Sequence, residues 1–571
     1  MKRFVCLLFV AVLADYTQGA SWPATDGLGR ELPGFEQVGP VRENRTVAMF
    51  YFLWHYQHLN EQADPYDISK ILAKHPEAIH DAKHPAWGPQ NYYHHFAEPL
   101  FGYYRSTDEW VYRKHAEMLA DAGVDVIIFD TSNGPIYKEA YDALFRAFDA
   151  AQKDGVNVPK IAFLCRFLPE PNQVQRLYED IYKTGRYENL WFRWKGKPLI
   201  MAYPEGTSAE ARSFFTFRAP KASYFVPPSR DDHWGWLEKY PQHQFGGTKR
   251  HPEQMTVGVA QNALTNKITA LSDPRSMGRS YHAGQTDRRP DAYKYGLNFQ
   301  EQWDYALAAD PELVFVTGWN EWIAMRLNSF ADYKAPVVFV DLFDAEHSRD
   351  IEPMKGGYGD NYYYQMIANI RRFKGAEKPP EAGAPKTIAI DGDFADWMDI
   401  RPEFTDYRSD TMHRDSAGWG DQLRYVNSQG RNDIVSAKAA RNETAVFFYV
   451  RCAGPISQPA GSSWMLLLID SDRDKSTGWE GYDYVLNRLG PGVLEKNTGG
   501  WQWERVAQCE VQVNGSEMEL SVSREALGKK SGSLDFEFKW VDNLNRPGDI
   551  MDFYTCGDAA PGGRFNYRFF E

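Results

Sequence analysis

Glu312-Leu-Val-Phe-Val-Thr-Gly-Trp-Asn-Glu-Trp322 is an apolar run that stops abruptly at a cluster of hydrogen-bonding side chains. Leu313 to Val316 lack the polar alternation of a half-exposed strand, so they read as a strand buried on both faces. At its carboxyl end Asn320 and Glu321 stand between Trp319 and Trp322. Aromatic faces cover the C–H side of a sugar ring while polar groups bond its hydroxyls, so a carboxylate, an amide and two indoles compose a carbohydrate site. The alternative is a helix-start acid between two core tryptophans.

Outward from this run, short apolar segments alternate with amphipathic ones from Thr46 to about Phe373. Strands are expected at Val47–Trp54, Val124–Phe129, Lys160–Cys165, Leu199–Tyr203, Phe214–Arg218, Trp234–Glu238, Met255–Ala260 and Leu313–Val316. Helical spacing falls at Glu109–Ala122 and Tyr137–Asp154, and Asp360 stands as N-cap before Tyr362–Phe373. Eight alternations of strand and helix predict an α/β fold, a (β/α)₈ TIM barrel, with its site at the carboxyl ends of the strands. Residues just past those ends are chemically rich. They comprise Trp54, His55, Tyr56 and His58 after the first strand, Asp130 after the second, Arg166 after the third, Tyr203 after the fourth, Arg218 after the fifth, and Gln261 and Asn262 after the seventh. These, with Trp319, Asn320 and Trp322, are the candidate substrate-binding groups; polar loops in general supply the alternative reading.

Composition narrows the function. The 571 residues suggest two or three domains. Eighteen tryptophans and 33 tyrosines exceed ordinary core needs and suit carbohydrate. A formal net charge of -13 argues against nucleic acid as the main partner. Lys2 and Arg3, the apolar run Phe4–Ala14 and small or polar residues to Ala20 have the layout of a signal peptide over 1–20, so a secreted or periplasmic protein is expected, with no transmembrane segment. Beyond Cys6 the chain has Cys165, Cys452, Cys509 and Cys556, without metal-type spacing; the last three could supply one disulfide.

Tyr103-Tyr104 before a charged helix, the strand Ala122-Gly-Val-Asp-Val-Ile-Ile-Phe129 and Trp319-Asn-Glu-Trp322 together resemble the glycoside hydrolase family 99/71-like barrels, including the WbsX-type proteins. The resemblance covers most of 45–375 and implies cleavage of a poly- or oligosaccharide. Such hydrolysis needs two carboxyl groups about the scissile bond. Glu321 is the first. In family 99 endomannosidases the motif runs Asn-Glu-Trp-His-Glu, but Ile323 and Ala324 follow here, so the second glutamate is absent. Asp130 is its expected replacement, against the alternative of an Asx-type turn near Ser132. No cofactor is expected for catalysis. The acids of Asp344–Glu352 read as a solvated loop. Two other functions stay open: glycan binding without catalysis on a degenerate barrel, and a lyase acting on an acidic glycan through Tyr203, His282 and Arg279.

These readings divide the chain into a barrel over 21–373, a Pro/Gly/Ala-rich linker over 374–386 and an all-β sandwich over 387–571. Ile390-Asp-Gly-Asp-Phe-Ala-Asp-Trp397 and Leu468-Ile-Asp-Ser-Asp472 resemble family 9-like carbohydrate-binding modules. Within that part Asp470, Asp472 and Asp474 alternate as oxygens wrapping Ca²⁺ would, a structural calcium loop being set against a plain acidic turn.

Overall fold

The computed structural model describes residues 22–55, 64–248, 251–420 and 422–571. The expected leader, Tyr56 and His58 lie outside them. Eight parallel strands form the N-terminal part: β1 Thr46–Tyr51, β2 Val126–Asp130, β3 Lys160–Leu164, β4 Lys197–Met201, β5 Thr216–Lys221, β6 His233–Gly235, β7 Gln254–Gly258 and β8 Leu313–Thr317. They hydrogen-bond in the order β7, β8, β1, β2, β3, β4, β5, β6, a nearly closed TIM-like barrel. β2, β7 and β8 are buried at every residue, as the uninterrupted apolar runs Val126–Phe129 of β2 and Leu313–Val316 of β8 require.

β6 and β7 do not join the ladder, and a side chain bridges them instead. Gln254 accepts from the Gly235 backbone N–H through Oε1 at 3.0 Å and donates from Nε2 to the Gly235 carbonyl at 3.1 Å. The close approach needs glycine, because a Cβ on Gly235 would meet the Phe245 ring at 2.6 Å. The fifth strand departs from expectation: residues up to Phe214 belong to the helix Ala209–Phe214, capped by Ser208, and the strand starts at Thr216.

The principal helices are α1 Glu109–Asp121, α2 Lys138–Lys153, α3 Leu297–Ala309 and α4 Asn361–Lys374. Asp108 caps α1, its carboxylate accepting from Val111 N–H at 3.4 Å. Asp360 makes no side-chain cap on α4. Its carboxylate is instead taken by Arg564 at 2.6 Å.

The C-terminal part is a β-sandwich of two antiparallel sheets. One orders Glu403–Thr405, Ile434–Arg441, Ala445–Cys452, Glu517–Ser523 and Glu510–Asn514; the other is built on Gln502–Gln508, Val493–Gly499, Tyr484–Leu486, Leu466–Asp470 and Asp535–Asp542, with Asp558–Ala560 and Tyr567–Phe570 added to the last of these. Phe404 and Phe448 of the first meet Phe538 of the second, each with ring centroids 5.4 Å apart. Cys165, Cys452, Cys509 and Cys556 are free thiols, so the expected disulfide does not form. Cys509 sits where the chain leaves one sheet for the other, between Gln508 and Glu510.

Barrel and sandwich share one continuous buried core. Arg414 of the sandwich pairs with the capping Asp108 at 2.7 Å, its guanidinium between the rings of Trp110 and Tyr425 at 4.8 and 4.5 Å. Tyr407 donates to Asp121 at 2.8 Å, and Trp419 donates its backbone N–H to the Tyr103 carbonyl at 2.7 Å. At the far side Trp22 packs on Phe565 and Tyr567, and Asn566 N–H reaches the Pro23 carbonyl at 2.9 Å. Among the described residues no helix is long and apolar enough to cross a membrane.

Candidate active site

Past β8 the chain is held by a second segment. Gly318 N–H donates to the Arg349 carbonyl at 3.2 Å, Ile351 N–H to Gly318 at 3.1 Å and Glu352 N–H to Trp319 at 3.0 Å. This backbone pairing draws Ser348, Arg349, Asp350 and Glu352 inside, each 0–1% exposed. The solvated loop expected there is therefore corrected for its second half.

Trp319 and Trp322 are fully buried and present no face to a sugar. Trp322 stacks on Phe96 at 5.1 Å and donates to Glu352 at 2.5 Å; Trp319 meets the His115 ring edge-on at 5.5 Å. Asn320 is likewise structural. Its Oδ1 accepts from Phe52 N–H at 2.8 Å and its Nδ2 donates to the Phe52 carbonyl at 3.2 Å, which prolongs the β1–β8 pairing by a side chain. Below it Glu352 accepts from Tyr104 at 2.7 Å and faces His115 Nε2 at 3.0 Å, and His115 Nδ1 meets the Tyr51 hydroxyl at 2.7 Å. This floor holds the Asn320-Glu321 backbone rigidly.

Glu321 carries the chemistry of the mouth. Arg349 forks onto it, Nε to Oε2 at 2.9 Å and one terminal nitrogen to Oε1 at 2.8 Å, and that same nitrogen donates to Asp341 Oδ1 at 2.8 Å. Two carboxylate oxygens each 2.8 Å from one nitrogen lie within about 5.6 Å of each other. Burial pushes the Glu321 carboxyl above the ordinary carboxylate range, with Arg349 opposing and Asp341 adding. Asp130 closes β2 and is also raised by burial; the interactions with Ser132 lower it, then Asp341 raises it and Arg349 lowers it, so it lies within electrostatic reach of the same pair. Its Oδ1 accepts from Ser132 N–H at 3.0 Å, so the Asx turn forms as well.

The aromatic face comes from Trp236, a half-buried indole with the Arg349 guanidinium 5.8 Å from its ring and Phe167 5.5 Å away. Tyr224, which feels both Arg349 and Asp341, donates to Asn262 Oδ1 at 2.5 Å. Beside Asp130 a groove of about 580 Å³ is lined by Asn133, Tyr137, Arg166, Glu170 and Arg176.

The remaining candidates scatter. Arg166 lines that groove, and Tyr203 sits half-buried under Arg230, whose guanidinium is 5.5 Å from its ring. His55 is a core residue, 2% exposed, with burial lowering its pKa to about 3. Trp54 packs on Phe52 and Tyr93, each at 5.4 Å. Gln261 is buried and accepts from Asn298 at 3.0 Å. Arg218 is a correction: it lies within β5 and forks onto Glu253, which precedes β7, because the strand begins later than its sequence suggests. Arg279, proposed for a lyase, is fully buried between the Tyr358 and Tyr362 rings, each 4.2 Å away. In the sandwich, Asp470 and Asp472 gather with Asp483 instead of Asp474. Asp474 accepts from Ser476, and Lys475 bonds Asp470 at 2.5 Å and Glu537 at 2.6 Å.

Arg349, Asp341, Trp236 and Tyr224 escaped sequence reading. Asp341 did carry a signal: the apolar run Val337-Val-Phe-Val340 ends in it, as the second strand ends in Asp130.

These elements define a TIM-like barrel with Asp130 and Glu321 at the carboxyl ends of β2 and β8 and Arg349 joining Glu321 to Asp341. No family model and no curated protein matches the sequence. Among solved structures, the chain is similar to a GH99 endo-alpha-mannosidase from Bacteroides thetaiotaomicron, 16% identical with a TM-score of 0.32, over 57% of this chain and 96% of that one. A second structure of that enzyme gives 15%, 0.33, 57% and 97%. A glycoside hydrolase-like protein gives 11%, 0.31, 59% and 97%. At such scores the likeness carries no weight for the reaction, which is argued from the site.

Proposed function

We propose that the protein is an exported glycoside hydrolase acting on a poly- or oligosaccharide. The observation that carries this is Arg349 joining Glu321 and Asp341 within reach of Asp130, beside the half-buried face of Trp236. Glycoside hydrolysis requires one carboxyl group that keeps its proton and one carboxylate that does not. Asp130, raised by burial at the end of β2 and within electrostatic reach of Asp341 and Arg349, is the general acid. Asp341, whose side chain is 36% exposed, is the accessible carboxylate and acts as nucleophile or base. Glu321 is 3% exposed and both its oxygens are occupied by Arg349, so its part is to orient the arginine and, through it, Asp341. Export rests on the leader-like residues 1–20.

A panel of glycans incubated with the purified protein and with Asp130→Asn, Asp341→Asn and Glu321→Gln, with released sugars and binding followed in parallel, tests this. Release should fall at least about 100-fold in the two aspartate variants while binding persists. The tight Arg349 fork on Glu321 favours one other reading, a glycan-binding barrel that has lost catalysis. Binding without release by the unmutated protein across the panel would establish that instead.

A further inference from the structure

Away from the barrel mouth, where α1 meets the sandwich, Asp406, Asp410 and Asp558 converge. One oxygen from each lies within 4.8 Å of the others. Asp410 and Asp558 are 8% and 3% exposed. Asp558 uses Oδ2 to accept from Ile434 N–H at 2.6 Å, and Asp406 uses Oδ1 to accept from Tyr407 N–H at 2.9 Å. Asp406 Oδ2, Asp410 Oδ1 and Asp558 Oδ1 are shielded from solvent and have no hydrogen-bond partner.

Neighbouring amines do not satisfy these oxygens. Lys114 donates to the Asp410 backbone carbonyl at 2.7 Å and stays 3.9 Å from its carboxylate, closer to Glu117 at 3.4 Å. Lys539, fully buried, donates to the Pro561 carbonyl. Three converging carboxylates, each keeping one shielded oxygen without a donor, repel, and folding must supply either protons or a cation. Burial raises Asp410 to about 7 and lifts Asp406 and Asp558 well above the ordinary carboxylate range, the neighbouring aspartates adding to the rise and Lys114 opposing it at Asp410 and Asp558.

A cation fits the geometry. Oxygens bound to one Ca²⁺ at about 2.4 Å can stand no more than about 4.8 Å apart. The residues also line a cavity of about 50 Å³, room for an ion and water to complete its coordination. We propose that Asp406, Asp410 and Asp558 form a site for a hard divalent cation, Ca²⁺, which braces the sandwich on the side where it meets α1.

The full chain, stripped with EDTA and desalted, is tested by metal analysis and by thermal unfolding with and without about 1 mM Ca²⁺ or Mg²⁺. The expected result is one Ca²⁺ per chain and a Tm several degrees higher with Ca²⁺. That gain should vanish in Asp558→Asn and Asp410→Asn and persist in Asp472→Asn, which disrupts the separate Asp470, Asp472 and Asp483 group instead. If Asp558→Asn fails to fold, Asp410→Asn and the metal content of the unmutated chain decide. The proposal is overturned if the unmutated chain neither retains metal nor responds to either ion. It is equally overturned if the gain is lost in Asp472→Asn and kept in Asp558→Asn, or if Asp558→Asn is itself more stable, as carboxyls sharing protons would give.

Discussion

Replacing Arg349 by Met would leave Glu321 as a buried acid without its counter-charge. Breaking such a pair costs about 3–5 kcal/mol, so Arg349→Met should lower stability by that order in urea unfolding, and adding Glu321→Gln should recover part of it. A loss under about 0.5 kcal/mol would mean the fork contributes little. Asp350 offers a pH test. It is fully buried, both oxygens lack partners, and burial lifts its pKa to about 8. The folded state then holds a proton that the unfolded state, with a pKa near about 3.9, releases; stability from this group is full below about pH 4 and is lost as pH rises through about 8. Asp350→Asn should flatten that decline, measured by urea unfolding from pH 4 to 9. At this scale Glu321 was legible because it ends an apolar run. Arg349 was not, since what buries it is backbone pairing between Arg349–Glu352 and Gly318–Trp319, a long-range contact with no local pattern. Trp319 and Trp322 looked like platforms because sequence records that a ring is present and not which side of the barrel wall it faces.

Among the elements, the seam between β6 and β7 is the informative one. Gln254→Leu removes both bonds to Gly235 and leaves its buried backbone groups unsatisfied, which should cost about 1–3 kcal/mol and speed exchange of the Gly235 amide. An unchanged exchange rate would show that the barrel closes without the side chain. Uninterrupted apolar runs made β2, β3 and β8 readable. β5 was displaced because Phe214 and Phe215 continue the apolar pattern from a helix into a strand, hiding the boundary between them. Gln254 gave no sign of its role, since a polar residue at a strand's start is ordinary.

For the whole molecule, the shared core and the Arg414–Asp108 pair predict cooperative behaviour. Calorimetry should show one unfolding transition, and Arg414→Ala should destabilise it by about 3–5 kcal/mol; two separated transitions would mean the halves fold independently. The strand patterns beyond the barrel told of a sandwich. That the sandwich docks on α1 was hidden, because Tyr407, Arg414 and Trp419 read as ordinary strand and turn residues until the surface they meet is known. The contact of Trp22 and Pro23 with Phe565, Asn566 and Tyr567 also fixes a timetable. A ribosome makes Trp22 early and its partners more than five hundred residues later, so this strap waits unseated through most of synthesis. The two ends of this contact can therefore meet only after Phe565, Asn566 and Tyr567 have been made.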